Sequence, residues 1–413
     1  MTRCWLLLLA LLGACERVDE ADAPWSPREL ALLRSLTPPP AQAPPSPGNR
    51  VADEPRAIAL GHKLFFDKGL SANGQVACAT CHQPERWFTD GLPRAKGLDV
   101  TARNAPTVLG AQFLPFVYQD GRKDSLWSQA LGPLESPGEH GLDRVAVVRH
   151  VATCCRADYE ALFGALPDLD RLPVHARPVP LGSTDPLDVA WRAVPEADRA
   201  AVDRAFAQIG KVIEAYERRL LPKPAPFDRY AAAVLANDPK ANTLLTADAR
   251  RGLRAFLGKA QCVSCHNGPL FTDKQFHNLG LPTSQQASGV DVGRSLGAQQ
   301  VKEDPFRCGG SFSDARQCDE LRFLDPQFPD FMGAFKTPTL RNVARTAPYM
   351  HDGQFATLAQ VVQFYKTLPG KPIVGHRELV LHLLDSAVDT NDLVAFLATL
   401  TGPLPEDKWL HAP

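Results

Sequence analysis

Two short motifs, Cys78-Ala-Thr-Cys81-His82 and Cys262-Val-Ser-Cys265-His266, constrain this chain more than anything else in it. Each has the CxxCH spacing at which two thioethers hold the vinyl groups of one porphyrin and the adjacent histidine places an imidazole on the iron. One such motif could arise by chance, or serve zinc binding or disulfide exchange. Two in one exported chain point to c-type haem. The fold must close a helical or loop segment over each porphyrin, and 413 residues leave room for two domains with cores of their own. The expected architecture is mostly α, with each domain built around a haem.

The N-terminus, MTRCWLLLLALLGAC, sets the positive Arg3 before an apolar run from Leu6 to Leu12 that is too short to span a bilayer. Residues 1–14 read as a signal peptide. Leu12-Gly13-Ala14-Cys15 resembles a lipobox, which would make Cys15 the lipidated first residue of a periplasmic lipoprotein; the plainer alternative is an ordinary signal peptide with an incidental cysteine. Lys plus Arg (45) nearly balance Asp plus Glu (46). No basic surface for nucleic acid is expected, and the membrane is met only through a lipid anchor. Of the ten cysteines, Cys4 leaves with the signal, Cys15 takes the lipid and four sit in the motifs. Cys154, Cys155, Cys308 and Cys318 remain, an even number in an oxidising compartment. A local Cys308–Cys318 bridge is favoured among three pairings, and it leaves either a vicinal disulfide or two free thiols at Cys154-Cys155.

Residues 15–50 read as a Pro-rich tether, 51–240 as the first haem domain and 241–413 as the second. Helices are expected over 57–66 and, as a pair, over 188–220. The second of that pair, from about 201, carries Phe206, Ile209, Val212, Ile213 and Tyr216 at helical spacing. Others are expected from a Thr246 cap to Phe256, over 356–367 and over 378–399. Residues 282–330 look like a polar, Gly-rich loop, longer than a compact domain carries without a use for it. The two haem motifs look like an ancient duplication, although little outside them repeats.

The chemistry turns on what faces each histidine across the iron. An electron carrier fills both axial positions with side chains, whereas peroxide chemistry needs an open iron. No histidine or methionine occurs between His82 and Glu139. The first haem therefore lacks a nearby sixth ligand unless His140 or His277 reaches it.

Beyond the motifs, residues 55–400 resemble the bacterial di-haem cytochrome c peroxidase and MauG superfamily. The match runs through Leu60-Gly61-His62-Lys63-Leu64-Phe65-Phe66-Asp67, Arg103-Asn104-Ala105-Pro106-Thr107, Asp120-Gly121-Arg122, Gln129-Ala130 with Pro133, Phe335 to Asn342, and Ala347-Pro348-Tyr349-Met350-His351-Asp352-Gly353. This resemblance implies two cytochrome c-like domains with a calcium ion at their interface, held by Asn104, Thr346 and Pro348 through oxygens that suit a hard cation. It also implies hydrogen peroxide as oxidant. Glu139 would be the acid/base group that moves a proton between the peroxide oxygens, with Gln129 and Pro133 in the same distal pocket.

Two departures narrow the branch, and a third counts against it. The loop from Gln83 to Val100 lacks the displaceable histidine of the peroxidases. Where those enzymes carry a methionine ligand, 14 residues after His351, this chain has Tyr365, as MauG does; an anionic phenolate favours the higher oxidation states of iron. Gln119 stands where the family has an inter-haem tryptophan, so the electron route uses Tyr118 or Trp127 or passes without an aromatic stepping stone. The resemblance is nearest to MauG and the tryptophan-oxidising MbnH-type branch. It implies a high-valent di-haem state that oxidises a protein partner at long range, with a tryptophan of a copper-binding protein as the model. The alternatives are a peroxidase fed by a small cytochrome c or cupredoxin, and a non-enzymatic electron carrier.

Overall fold

Two hydrophobic cores divide the chain in a computed structural model that describes residues 19–179, 183–282, 289–316 and 318–413. The signal peptide and Cys15 lie outside the described residues. The fold is mostly helical, and its two named strands, Phe276–His277 and Phe335–Lys336, pair antiparallel. Side chains from Val51 to Leu220 build the first core, and those from Phe227 to Leu400 build most of the second. The change of core comes ahead of the expected boundary at 240. Pro226–Leu235 is a helix whose Phe227, Tyr230 and Ala231 are buried in the second core.

Glu196–Glu217 is the centre of the first core, with its stripe of Phe206, Ile209, Val212, Ile213 and Tyr216 buried. It starts earlier than the periodicity suggested, directly after Pro195. Two helices cross it at glycines. An added Cβ on Gly61 of Pro55–Phe65 would lie 1.7 Å from the Val212 carbonyl oxygen, and one on Gly210 would lie 2.3 Å from that of Trp127 in Leu126–Glu135. The second core uses the same device. Ala247–Leu257, capped by Thr246 as expected, meets Thr390–Ala398 where Gly252 faces the Asp392 carbonyl.

Three stretches differ from their sequence reading. Within the expected tether, Pro27–Leu36 is a helix: Ser26 and Glu29 cap each other reciprocally, Pro27 sits in the first turn, and Leu33 and Leu36 enter the second core. The expected loop 282–330 contains the helix Arg294–Glu303 and then folds over the first domain. Phe306 joins the first core, the Ser128 hydroxyl donates to Asp304 at 2.9 Å, and Lys211 Nζ pairs with Asp314 at 2.7 Å. Cys308 is joined to Cys318 in this excursion, and Cys154 to Cys155 in the first domain. Of the expected helix 378–399, only Thr390–Ala398 forms. Leu379, Val380 and Leu383 stand exposed, so the residues before it have no apolar face to bury. Trp409 and Leu410 return to pack on the first core.

Candidate active site

The two CxxCH motifs are held by the same set of contacts, and the repeat reaches beyond the motifs, which the sequence reading missed. His82 Nδ1 lies 3.2 Å from the Phe88 carbonyl oxygen, and His266 Nδ1 lies 3.0 Å from that of Phe271. Both phenylalanines are fully buried at positive φ, 59° and 54°, an uncommon conformation for a bulky side chain. The hydroxyls of Thr107 and Thr339 donate to the carbonyls of Trp87 and Leu270, each at 2.6 Å, and so hold the residue before each phenylalanine. With Nδ1 donating to a carbonyl, the lone pair of each imidazole is left on Nε2. Burial pushes both imidazoles below their ordinary range, so both are neutral at pH 7. An iron ligand needs a neutral ring whose orientation is fixed in this way.

The repeat continues across the distal side with a constant spacing of 232 residues. Pro106-Thr107 answers Pro338-Thr339, Asp120-Gly121 answers Asp352-Gly353, and the helix caps Ser125 and Thr357 answer each other. In this register Pro133 and Tyr365 are the same position of the helices Leu126–Glu135 and Leu358–Thr367. Proline has no N–H to give the carbonyl one turn back. That carbonyl, of Gln129, instead accepts the Tyr118 hydroxyl at 3.3 Å. Glu139 follows the helix, its backbone held by Ser136 and Leu98 at 3.1 Å each. Burial chiefly, and the Glu139 charge in addition, push the Cys78 and Tyr118 protons' dissociation upward and that of Cys81 up to about 12. Gln129, Pro133 and Glu139 thus gather with Tyr118 beside the first motif. At the second motif, burial pushes the Tyr365 phenol up, and the charges of Cys262 and Cys265 add to the effect.

These residues fit haem. Cys78, Cys81, Cys262 and Cys265 are unpaired, whereas the other four described cysteines form disulfides. Glu217 Oε2 is buried without a partner close to Cys78, and desolvation with the neighbouring Glu214 pushes its carboxyl up to about 8. Four free thiols, two oriented neutral imidazoles and an orphaned buried oxygen are what a thioether-bound porphyrin site leaves when seen from the protein side. His277 is removed as a ligand to the first haem: Glu378 holds its Nδ1 at 2.6 Å and Asp273 its Nε2 at 2.8 Å. His140 is buried, with Nδ1 2.7 Å from the Leu70 carbonyl oxygen.

The expected calcium positions share the seam between the cores. Asn104 N–H donates to the His351 carbonyl at 2.8 Å and its side-chain amide to Leu92 at 2.7 Å, while the Thr346 hydroxyl reaches Val343 at 3.3 Å. Of the two relay candidates, Trp127 is fully buried in the first core beside Lys211 and Phe306. Tyr118 lies 3.4 Å from the Arg122 guanidinium, and its carbonyl accepts Lys336 Nζ from the second domain at 2.9 Å. Trp87, which the sequence reading passed over, bridges the seam: its indole donates to Gly402 at 3.3 Å, and Arg345 lies 5.1 Å from its ring. Its signal was the shared Phe-Thr-Asp that follows it at 88–90 and recurs at 271–273.

A family model described as di-haem cytochrome c peroxidase matches residues 55–234. The methylamine utilization protein MauG of Methylorubrum extorquens is 31% identical over 94% of this chain and 89% of its own length. Cytochrome-c peroxidase IdrP1 of Denitromonas iodatirespirans is 30% identical over 97% and 94%. The crystal structure of a MauG-like protein associated with microbial copper homeostasis superposes with a TM-score of 0.61 at 26% identity, covering 92% of this chain and 97% of that one. The chain therefore belongs to the di-haem cytochrome c peroxidase and MauG family, haem oxidoreductases that use peroxide.

Proposed function

We propose that this protein is a MauG-like oxidase that takes hydrogen peroxide at an open haem on Cys78, Cys81 and His82 and uses the oxidising power on a protein partner. The observation that carries this reading is the equivalence of Pro133 and Tyr365 in the repeated frame. The helix position that offers a side-chain ligand at the second motif offers none at the first. Haem held on the two motifs would supply an iron able to take oxidising equivalents from peroxide. His82 and His266 would present Nε2 to it. Glu139 takes a proton from the near peroxide oxygen and returns it to the leaving one, and Gln129 lies beside it. A phenol that burial and the neighbouring cysteines keep protonated ionises against the charge of a metal, so Tyr365 serves the second haem as an anionic ligand that favours its oxidised state.

Asn104, Thr346 and Pro348 hold calcium where the two domains meet. Cys15 anchors the protein in the periplasm. Among the described residues no helix is long and apolar enough to cross a membrane. The partner is a copper-binding protein, oxidised at a residue such as tryptophan; a solved MauG-like relative associated with microbial copper homeostasis supports the link to copper. Relatives named cytochrome-c peroxidase support a second reading, in which a small cytochrome c or cupredoxin returns the electrons. Electron paramagnetic resonance of the diferric holoprotein, before and after stoichiometric peroxide without reductant, tests the proposal. One high-spin and one low-spin signal that both fade are expected. Two low-spin signals indifferent to peroxide would overturn it.

A further inference from the structure

We propose that Trp409 is a redox-active, half-exposed residue, joined to the first motif by a series of aromatic ring contacts, through which oxidising equivalents leave the first domain one electron at a time. The proposal rests on peroxide chemistry at the first motif. The contacts form a continuous series. Phe88, whose carbonyl orients His82, meets Phe65 edge-on at 6.5 Å between ring centroids, and Phe65 lies 5.0 Å from Tyr216. Tyr216 stacks flat on His62 at 4.7 Å with 7° between the planes. Trp409 closes the series, 5.5 Å from His62 and 6.2 Å from Tyr216. Hydrogen bonds fix its far end: the Tyr216 hydroxyl donates to the Trp409 carbonyl at 2.5 Å, and His62 Nε2 lies 2.7 Å from the His411 carbonyl oxygen. The last residues of the second domain thus complete a path that begins in the first.

Burial and proton chemistry decide where an equivalent comes to rest. Phe65 and Phe88 are fully buried hydrocarbon rings, hard to oxidise, and act only as the medium. Tyr216 is fully buried, and its proton faces a carbonyl that cannot take it. Trp409 is half-buried, so its indole can lose a proton to water. The other described tryptophans are less suited. Trp127 and Trp191 are buried. Trp25 packs on the second core and takes no part in the series, and Trp87 has the Arg345 guanidinium 5.1 Å from its ring, where a cation opposes loss of an electron. Lys408 lies 5.0 Å from Trp409, but Glu406 neutralises it at 2.7 Å. In the step itself, one electron leaves the indole and consumes one oxidising equivalent that peroxide left at the first haem, while the indole proton passes to water. The resulting indolyl radical is restored by one electron and one proton from a one-electron reductant.

The test treats holoprotein with peroxide and a nitroso spin trap, without reductant, and maps the trap by peptide mass. The tag is expected on Trp409 ahead of Trp25 and Trp87. Trp409→Phe should lose it. Tyr216→Leu, which removes the ring that joins Phe65 to His62 and Trp409, should lose most of it with Trp409 still present, while N-bromosuccinimide, a direct surface reagent, oxidises Trp409 equally in both proteins. A tag on Trp409 that Tyr216→Leu leaves unchanged would overturn the path. No tag on Trp409, in protein whose haem spectra respond to peroxide, would overturn the proposal alone. Spectra that ignore peroxide would overturn the peroxide reading, and this proposal with it.

Discussion

Replacing Glu217 by Gln should remove a pH dependence of stability that the wild-type protein carries between about pH 5 and about pH 8. Glu217 is buried, its Oε2 has no partner, and desolvation together with Glu214 raises its carboxyl from 4.5 to about 8. The sign follows from which state binds the proton. Below about 4.5 the carboxyl is protonated whether the chain is folded or not, and its stabilising share is fully present. As the pH rises, the unfolded chain ionises first, and stability is lost until the folded carboxyl ionises near 8. That interval spans roughly three and a half pH units, and at about 1.4 kcal/mol per unit the ceiling is roughly 5 kcal/mol. Half of that ceiling, left after side-chain relaxation and water entry, would still shift the melting temperature by about 5–10 °C in a domain of this size. Glu217→Gln keeps the shape and cannot ionise. Thermal unfolding of both holoproteins, followed by far-UV circular dichroism and by Soret absorbance, should show the wild type falling relative to the variant as the pH rises. Glu214→Gln should narrow the wild-type window from its upper end, because the Glu214 charge is the second cause of the shift. Parallel curves for wild type and Glu217→Gln would refute the reasoning, since they would mean that Glu217 is ionised and paired in the folded holoprotein.

Gly61→Ala should force apart the helices Pro55–Phe65 and Glu196–Glu217, because its Cβ would fall 1.7 Å from a backbone oxygen that cannot yield alone. A loss of about 1–3 kcal/mol or more, confined to the first of two calorimetric transitions, is expected, with Gly252→Ala acting on the second. Glu139→Gln should slow peroxide activation about 10²–10⁴-fold in stopped-flow absorbance; a full rate would assign the proton transfer to another group. Tyr365→Phe should leave both haems covalently attached by pyridine haemochrome assay while changing the visible spectrum of the second. An unchanged spectrum and an unchanged peroxide product would sink the ligand assignment.

What the sequence could show depended on whether a signal was local. The CxxCH motifs, the Thr246 cap and the stripe from Phe206 to Tyr216 are local, and each sits in the structure in the kind of element its spacing implied. The helix Pro27–Leu36 was hidden because its apolar side chains are few and lie among prolines. It is stabilised by docking Leu33 and Leu36 on a core formed by residues nearly two hundred positions away, which no window over 15–50 can reveal. The excursion after residue 289 was hidden for the same reason: Phe306, Asp304 and Asp314 look like loop residues until Lys123, Ser128 and Lys211 of the first domain are seen beside them. The helix expected from 378 shows the converse error. Leu379, Val380 and Leu383 supply apolar letters without a surface to bury them.

The duplicated frame was overlooked for a different reason, and it bears most on function. Many of the identities between the halves fall on residues with backbone work to do: Pro106 and Pro338, Thr107 and Thr339, Gly121 and Gly353, Phe88 and Phe271. These fix a histidine, a turn and a helix start while every side chain around them is free to diverge. Two sites can then share a scaffold and differ in chemistry through single positions. At the first motif Pro133 withholds an N–H, which frees the Gln129 carbonyl for Tyr118 and leaves the helix face without a ligand. At the second, Tyr365 keeps its place in a regular helix and turns a phenol toward the cysteines of its motif, while its carbonyl ties down Leu384 at 3.1 Å. The N-terminal helix on the second core, with the excursion after residue 289 and the C-terminal Trp409 on the first, laces the two halves together. Their spacing is held by packing on both sides rather than by one linker.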